Sequence, residues 1–369
     1  MKARSVPLIG ALSAMLLIAA AAPAAAADPA VGAVYALTNA AGGNAVLAFE
    51  RHPDGTLGEL GSFATGGLGS GGGLGSQGAV VLSDDGRLLV AVDAGSDEIS
   101  SFTLGTDGTL TLADRVPSGG DHPISVTVRD GLAYALNDGG AGNIAGFTID
   151  GSGDLAPIAG SSRSLSAAGV APAQVEFSPN GETLVVTEKA TSLITTYAVD
   201  ADGLAGAPTS VASAGTTPFG FAFDGRGRIF VSEAFGGAAG ASTLSSYSVS
   251  GGGAALIDGP DATTQSAACW VAVTKNGQFA YTANTGSGTI SGFAISQDGS
   301  VSLITADGAT GTTGGAPADL AMSANGRYLY ARVGGAGPAI AAFRVGGRGD
   351  LSPLGTVALP AGVVGLAGR

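Results

Sequence analysis

Residues 194–197 read Ile-Thr-Thr-Tyr, and this pattern of an apolar residue, two small or polar residues and an aromatic occurs seven times. The aromatic residues follow one another at spacings of 45 to 53 residues. A fixed period of this size is typical of repeat architectures in which each repeat is one structural unit. The aromatic positions are Phe49, Phe102, Phe147, Tyr197, Tyr247, Phe293 and Phe343. We expect these side chains to pack against the neighbouring repeat rather than to bind a ligand.

One repeat, residues 171–215, reads as four short strands joined by tight turns. Residues 173–177 alternate as a strand, and Ser178-Pro179-Asn180-Gly181 has the composition of a turn. Two further strands are predicted within 182–188 and over 194–199, and Asp202-Gly203 suits a hairpin turn into a short fourth strand. Four such strands make one propeller blade. The sequence therefore predicts an all-β, seven-bladed β-propeller with four antiparallel strands per blade.

The two ends of the repeat region complement each other. The first repeat begins at residues 34–37 without a leading strand, and the chain ends with a lone apolar strand at 362–366. We predict that this C-terminal strand completes the first blade and closes the ring, which leaves no open sheet edge between blades. Residues 28–369 are then a single propeller domain.

The first 27 residues have the features of a signal peptide. Lys2 and Arg4 precede an almost wholly apolar run over residues 6–22, and Ala25-Ala26-Ala27 offers a small-residue cleavage site. A membrane anchor is the alternative interpretation of this segment. In the rest of the sequence no stretch approaches the roughly 18 apolar residues that a spanning helix needs. We expect a secreted or periplasmic protein, cleaved near Ala27, without a membrane span.

Charge and cysteine content limit the possible partners. The net charge of −13, with only 16 basic residues, argues against nucleic acid or an anionic membrane as a partner. Cys269 is the single cysteine, so an internal disulfide is excluded. A monomer is expected.

The ends of the second strands occupy one register in every repeat, on the side of the disc that carries the longer loops. We expect the polar residues at this register to form a ring around the mouth of the central funnel: Asp93, Asn137, Glu188, Glu233 and Asn284. The starts of the inner strands add His122, Gln174 and Trp270. A solvated rim whose side chains cap strand ends is the alternative interpretation.

Several of these residues suit acyl chemistry. Glu188 or Glu233 could be a general base for attack of water on a substrate carbonyl, with a pKa raised by burial. Lys189 could stabilise an oxyanion or simply be a surface lysine, and His122 is either catalytic or a loop cap. Trp270 is either a platform for a sugar-like ring or a core residue. The ligand types would also suit Ca²⁺, but no metal-binding spacing supports it, so no cofactor is predicted.

Three stretches carry a resemblance to known propellers, namely residues 175–181, 281–290 and 359–362. With them the chain, from Ala30 to the C-terminus, resembles the lactonase family of seven-bladed propellers, which includes bacterial 6-phosphogluconolactonases and the 3-carboxy-cis,cis-muconate lactonising enzyme. The second stretch also resembles the Tyr-Val-Thr-Asn repeat of secreted propellers. It implies a propeller that acts on a lactone. These are blade motifs, so they are more specific for fold than for chemistry.

The chain departs from the family at two motifs. Where the family has Pro-His-Ser, this chain has Gln77-Gly78-Ala79 and Pro123-Ile124-Ser125. Where the family has Gly-Pro-Arg-His, it has Ala171-Pro172-Ala173-Gln174, although Glu188 matches the family glutamate that closes the next strand. Two functions therefore remain open. One is an exported hydrolase of a neutral or sugar-type lactone, or a lactonising isomerase. The other is a non-catalytic propeller that binds a protein, a glycan or an envelope component.

Overall fold

The computed structural model describes Met1 and residues 32–369, so the predicted signal peptide lies, apart from Met1, outside the described residues. The described part contains 30 β-strands and one 3₁₀ turn at Phe235–Gly237. Among these residues no helix is long and apolar enough to cross a lipid bilayer.

The strands form seven antiparallel sheets, which are the blades, and the strands of each blade follow one another from the axis outwards. Blade 1 has β30 (Val364–Gly368), β1 (Ala33–Leu37), β2 (Ala45–Arg51) and β3 (Leu57–Ala64). Blade 2 has β4 (Val80–Leu82), β5 (Leu88–Asp93), β6 (Glu98–Leu104) and β7 (Leu110–Pro117). Blade 3 has β8 (Pro123–Arg129), β9 (Leu132–Asn137), β10 (Asn143–Ile149), β11 (Leu155–Pro157) and β12 (Arg163–Ser164). Blade 4 has β13 (Pro172–Phe177), β14 (Thr183–Glu188), β15 (Leu193–Ala198) and β16 (Thr209–Ala212).

Blade 5 has β17 (Pro218–Phe223), β18 (Arg228–Glu233), β19 (Thr243–Ser250) and β20 (Gly253–Ala262). Blade 6 has β21 (Ala268–Val273), β22 (Phe279–Asn284), β23 (Thr289–Ile295), β24 (Val301–Leu303) and β25 (Gly311–Thr312). Blade 7 has β26 (Ala316–Met322), β27 (Tyr328–Gly334), β28 (Ala339–Val345) and β29 (Leu351–Ala358). In blades 3 and 6 the outer edge is divided between two short strands that pair with the same neighbour.

The C-terminal strand closes the ring. β30 pairs antiparallel with β1, with Val364 opposite Leu37 and Gly368 opposite Val34. Each innermost strand contacts the next around the axis, including β26 with β30 and β30 with β4. The predicted seven-bladed propeller and its closure are confirmed, although the last strand begins two residues later than the sequence indicated.

The repeated aromatic residues lie in the third strands and pack in the core, as predicted. All seven are at most 3% exposed. Because the two faces of each sheet are covered by neighbouring blades, one bulky side chain per blade at a fixed register fills the space between sheets.

A hydroxyl group fastens each blade to the next. It donates to the carbonyl oxygen of a glycine in the outer hairpin of the following blade, and all seven interfaces have such a bond, 2.5 to 3.0 Å long. The pairs are Tyr35–Gly108, Ser101–Gly153, Tyr134–Gly203, Thr196–Gly252, Ser246–Gly299, Tyr281–Gly349 and Tyr330–Gly55. The last pair joins blade 7 to blade 1. We call these seven bonds the inter-blade locks.

The backbone conformation of the glycines in the inter-blade locks explains why Asp-Gly hairpins recur. All seven have a φ of +73° to +100°, which a residue with a Cβ adopts at a cost. At Gly153 a Cβ would also lie 2.7 Å from the Cβ of Ala113, which cannot move away without a backbone shift. Gly160, in the same blade, has a φ of +73° but no atom within 4 Å of its Cβ position.

We predict that Gly153→Ala lowers the free energy of unfolding more than Gly160→Ala does. The change at Gly160 should cost about 1–2 kcal/mol from the positive φ alone. At Gly153 the contact with Ala113 should add at least about 1 kcal/mol. Chemical denaturation of both variants measures the difference. Equal losses would show that close approach of the blades does not constrain the lock glycine.

Candidate functional site

A cavity of about 540 Å³ runs along the propeller axis, lined by the innermost strands of all seven blades. Its volume lies in the range of small-molecule sites. One end reaches Asp84 and Lys275, exposed residues in the turns between first and second strands. We call the side of the disc that carries these turns and the outer hairpins the turn face, and the opposite side the loop face. The other end of the cavity stops at Gln77 and Gln174.

Glu176 on β13 lines the cavity two residues after Gln174, so strand alternation turns both side chains toward the axis. Nε2 of Gln174 donates a hydrogen bond of 2.9 Å to Oε2 of Glu176. Enclosure by protein raises the pKa of Glu176 to about 8, and the nearby Asp84 charge adds to this effect. Glu176 is partly exposed and lines the cavity.

Asp319 on β26 also lines the cavity and is 1% exposed. Its Oδ1 accepts a hydrogen bond of 2.8 Å from the amide of Leu320, whereas its Oδ2 has no hydrogen bond of normal geometry. Burial raises the pKa of Asp319 to about 8, against the lowering effects of the Leu320 and Leu366 amides and the Arg332 charge.

Both carboxyl groups belong to residues that line one cavity, on innermost strands at different sides of the axis. β13 and β26 are separated by two innermost strands in one direction around the axis and by three in the other. With pKa values of about 8, each group can be charged or protonated near neutral pH. One carboxyl can therefore accept a proton while the other donates one, which is the requirement for general acid–base chemistry.

The Gln174 side chain connects two strands in the wall of the cavity. Its Oε1 accepts from the Phe221 amide at 2.8 Å, and its Nε2 donates to the Phe221 carbonyl at 3.0 Å. This side chain thus bridges β13 to β17 while it also supports Glu176. Of the residues predicted from the sequence to form a site, Gln174 is the one that lines the axial cavity.

The five strand-end residues lie at the predicted register but are fully buried between blades. Each is the last residue of a second strand and 0% exposed: Asp93, Asn137, Glu188, Glu233 and Asn284. They belong to five different blades, so the structure does not bring them together. Their assignment to catalysis or substrate binding stays a prediction.

The two predicted glutamate bases are held by hydrogen bonds at the loop face. Glu188 accepts from the Ser166 amide and hydroxyl and, at 2.9 Å each, from Thr191 and Thr195. Glu233 accepts from Thr243 at 2.5 Å and from Ser213 at 3.2 Å. Burial raises the pKa of Glu233, and these donors oppose the rise.

Burial likewise raises the pKa of Asp93, although Ser100 at 2.5 Å and Thr65 at 2.6 Å donate to it. In blades 2 to 5 a hydroxyl that follows the outer edge of the preceding blade reaches the strand-end group: Thr65, Ser118, Ser166 and Ser213. These contacts fasten neighbouring blades on the loop face.

Lys189 and Trp270 lie near each other on the loop face, on either side of Phe219. Nζ of Lys189 is 4.7 Å from the centroid of the Phe219 ring, and the Phe219 and Trp270 rings are 4.9 Å apart. Both polar groups contact the backbone of one loop, with Nζ of Lys189 donating to Gly75 and Nε1 of Trp270 to Ser76. Burial lowers the pKa of Lys189. Trp270 is only 8% exposed.

His122 lies just before β8 with a φ of +55°, and its amide donates to Asp97 at 2.7 Å. Cys269 is a buried free thiol, and burial raises its pKa to about 11. Within residues 32–369 no group of three or more His, Cys, Asp or Glu side chains is arranged to hold a metal ion.

Sequence reasoning missed Glu176 and Asp319 as site residues. The available signal was a carboxylate inside an innermost strand, a position where neighbouring side chains are apolar or small. A charged residue at such a position indicates either a buried partner or a cavity. The family motif that contains Glu176 does not decide between these two alternatives.

Comparisons with known proteins support the architecture. The family model described as "Lactonase, 7-bladed beta-propeller" matches residues 43–167 and 253–364. A periplasmic gluconolactonase from Pseudomonas aeruginosa is similar in structure, with a TM-score of 0.69 at 17% identity, over 90% of this chain and 98% of that one. A candidate 6-phosphogluconolactonase from Bacteroides uniformis gives 0.72 at 19% identity, over 90% and 98%. At these identities the likeness shows the fold alone. The comparison with curated proteins found no match.

We predict that Glu176→Gln reduces the loss of stability at alkaline pH. The folded-state pKa of about 8 lies above the unfolded value, so the native state holds more protons between about pH 4.5 and 8. The contribution of Glu176 to the free energy of unfolding therefore falls as pH rises through this window, by about 1.4 kcal/mol per pH unit at most, and levels off above it. Glutamine does not ionise and should remove the contribution of Glu176 to this decline, whereas the contribution of Asp319, whose pKa is also about 8, remains.

Denaturation curves at pH 5, 7 and 9 measure the effect, with the exposed Glu59→Gln as a matched control. A wild-type and a Glu176→Gln protein with parallel pH dependences would contradict the raised pKa.

Proposed function

Because the chain belongs to the lactonase family of seven-bladed β-propellers, we propose that it hydrolyses a neutral, sugar-type lactone inside the axial cavity. The observation that carries this proposal is the pair of cavity carboxyls, Glu176 and Asp319, whose pKa values of about 8 suit proton transfer near neutral pH.

The environments of the two groups assign their roles. Glu176 accepts a hydrogen bond from Gln174, which favours its charged form and makes it the base. Asp319 is almost fully buried, and its Oδ2 has no hydrogen bond of normal geometry, which favours the protonated form and makes it the acid. To reach a ligand, this side chain must rotate into the cavity.

These two groups account for the proton transfers of the reaction. The Glu176 carboxylate takes a proton from water as the water oxygen bonds to the lactone carbonyl carbon, giving a tetrahedral intermediate. The intermediate re-forms its carbonyl by breaking the bond to the ring oxygen, which receives the proton of Asp319. The product is a hydroxy acid, and loss of the Glu176 proton and reprotonation of Asp319 restore the starting state.

The charge of the cavity favours a neutral substrate. A ligand with its own negative charge would oppose ionisation of Glu176, which must be charged to act as the base. Polar groups along the wall, among them Gln77, Gln174 and Thr127, suit the hydroxyl groups of a sugar-type lactone.

The signal-like N-terminus supports an exported enzyme. The structurally similar Pseudomonas aeruginosa protein is a periplasmic gluconolactonase, which agrees with this placement.

A non-catalytic propeller that binds an envelope component is the second candidate. The observation that favours it is the substitution at the family's Arg-His motif, where this chain has Ala173 and Gln174. In this chain Gln174 bridges two blades instead of supplying a titratable ring.

We predict that Glu176→Gln and Asp319→Asn each lower kcat for lactone opening by about 10²-fold or more, since general acid–base catalysis contributes 10²–10⁴-fold. Acid release from a panel of neutral lactones measures turnover. The wild-type rate should be highest near pH 8, where one carboxyl can be charged and the other protonated.

Glu59→Gln is the control, and Glu188→Gln and Glu233→Gln test the bases predicted from the sequence. Loss of turnover only in a folded Glu188 or Glu233 variant would transfer the catalytic role to the loop face. Absence of turnover in the wild-type protein across the panel would remove the hydrolase and leave the binding protein.

A further inference from the structure

Residues 74–77 cross the propeller axis at the loop face. They belong to the connection between blades 1 and 2, yet their hydrogen bonds reach blades 3, 4, 5 and 6. The hydroxyl of Ser76 donates to Ile124 at 2.7 Å, and the Gln77 amide donates to Ala173 at 3.0 Å. A segment bonded to blades on several sides of the ring must pass over its centre. We call it the crossing segment.

The Gln77 side chain is inserted between blades 5 and 6. Its Oε1 accepts from the Val271 amide at 3.0 Å, and its Nε2 donates to the Val271 carbonyl at 2.8 Å. Gly220 on β17 leaves the room for this side chain, because a Cβ there would lie 2.1 Å from Oε1 of Gln77. The Gln77 side-chain amide thus pairs with the Val271 backbone as the backbone of a neighbouring strand would. Gln77 also forms the inner end of the cavity.

Two side chains on the loop face donate hydrogen bonds to the backbone of the crossing segment. Nζ of Lys189 donates to the Gly75 carbonyl at 2.6 Å, and Nε1 of Trp270 donates to the Ser76 carbonyl at 2.8 Å. Leu74 and Ser76 are 7% and 6% exposed, so the segment is packed down rather than projecting into solvent.

We propose that the crossing segment makes the axial cavity accessible from the turn face alone and that Gln77 determines how long a ligand the cavity accepts. Ligands enter past Asp84 and Lys275, and Gln77 stops their leading end. The part of this inference that concerns lactone size rests on the proposed hydrolase function, whereas the closure of the loop face does not.

The single tryptophan of the chain reports closure directly, because Trp270 lies against the crossing segment. We expect the Stern–Volmer constant for acrylamide quenching to rise about threefold in Gln77→Ala and in Lys189→Met, which loosen the segment from opposite sides. Gln297→Ala, an exposed glutamine on a hairpin of the turn face, should leave quenching unchanged. Thermal unfolding checks that each variant is folded.

Size selection is measured on lactones with alkyl tails of increasing length. In Gln77→Ala the ratio of kcat/KM for the longest to the shortest tail should rise at least tenfold. Unchanged quenching in both folded variants would overturn closure, and an unchanged ratio would overturn size selection. A protein that opens no lactone but shows the quenching change would retain closure while the hydrolase proposal fails.

Discussion

The inter-blade lock, a hydroxyl donating to the carbonyl of a hairpin glycine, is the contact on which the geometry of this propeller depends. It recurs at all seven interfaces, although its donor is a second-strand tyrosine in four and a third-strand serine or threonine in three. Because the residue that supplies the carbonyl has a positive φ, glycine is required at each interface. Even spacing of the blades arranges the innermost strands in a ring around the axial cavity.

The fold could be predicted because its determinants are local and repeated. Aromatic residues at a constant register, Asp-Gly hairpins and a surplus C-terminal strand each follow from short stretches of sequence. In blade 4 the predicted strands 173–177 and 194–199 correspond to Pro172–Phe177 and Leu193–Ala198. The bounds differ by one residue, and at the start of the first strand a bulge lies between Pro172 and Gln174.

The site could be predicted only in part because it depends on distant contacts. The register of Glu188 and Glu233 was correct, but their direction is decided by Ser166 and Ser213 of the preceding blades. Glu176 belongs to a strand that was recognised, yet only ring closure shows that its side chain faces a cavity. Gln77 meets Val271 across 194 residues, a pairing that no local pattern indicates.

The central claim is that ligands bind in the axial cavity between Glu176 and Asp319. A crystal structure with a lactam, which resembles a lactone but resists hydrolysis, tests it most directly. The account predicts density for the lactam inside the cavity, within hydrogen-bonding distance of both carboxyl groups. Density on the loop face beside Glu188 or Glu233, with an empty axial cavity, would contradict it.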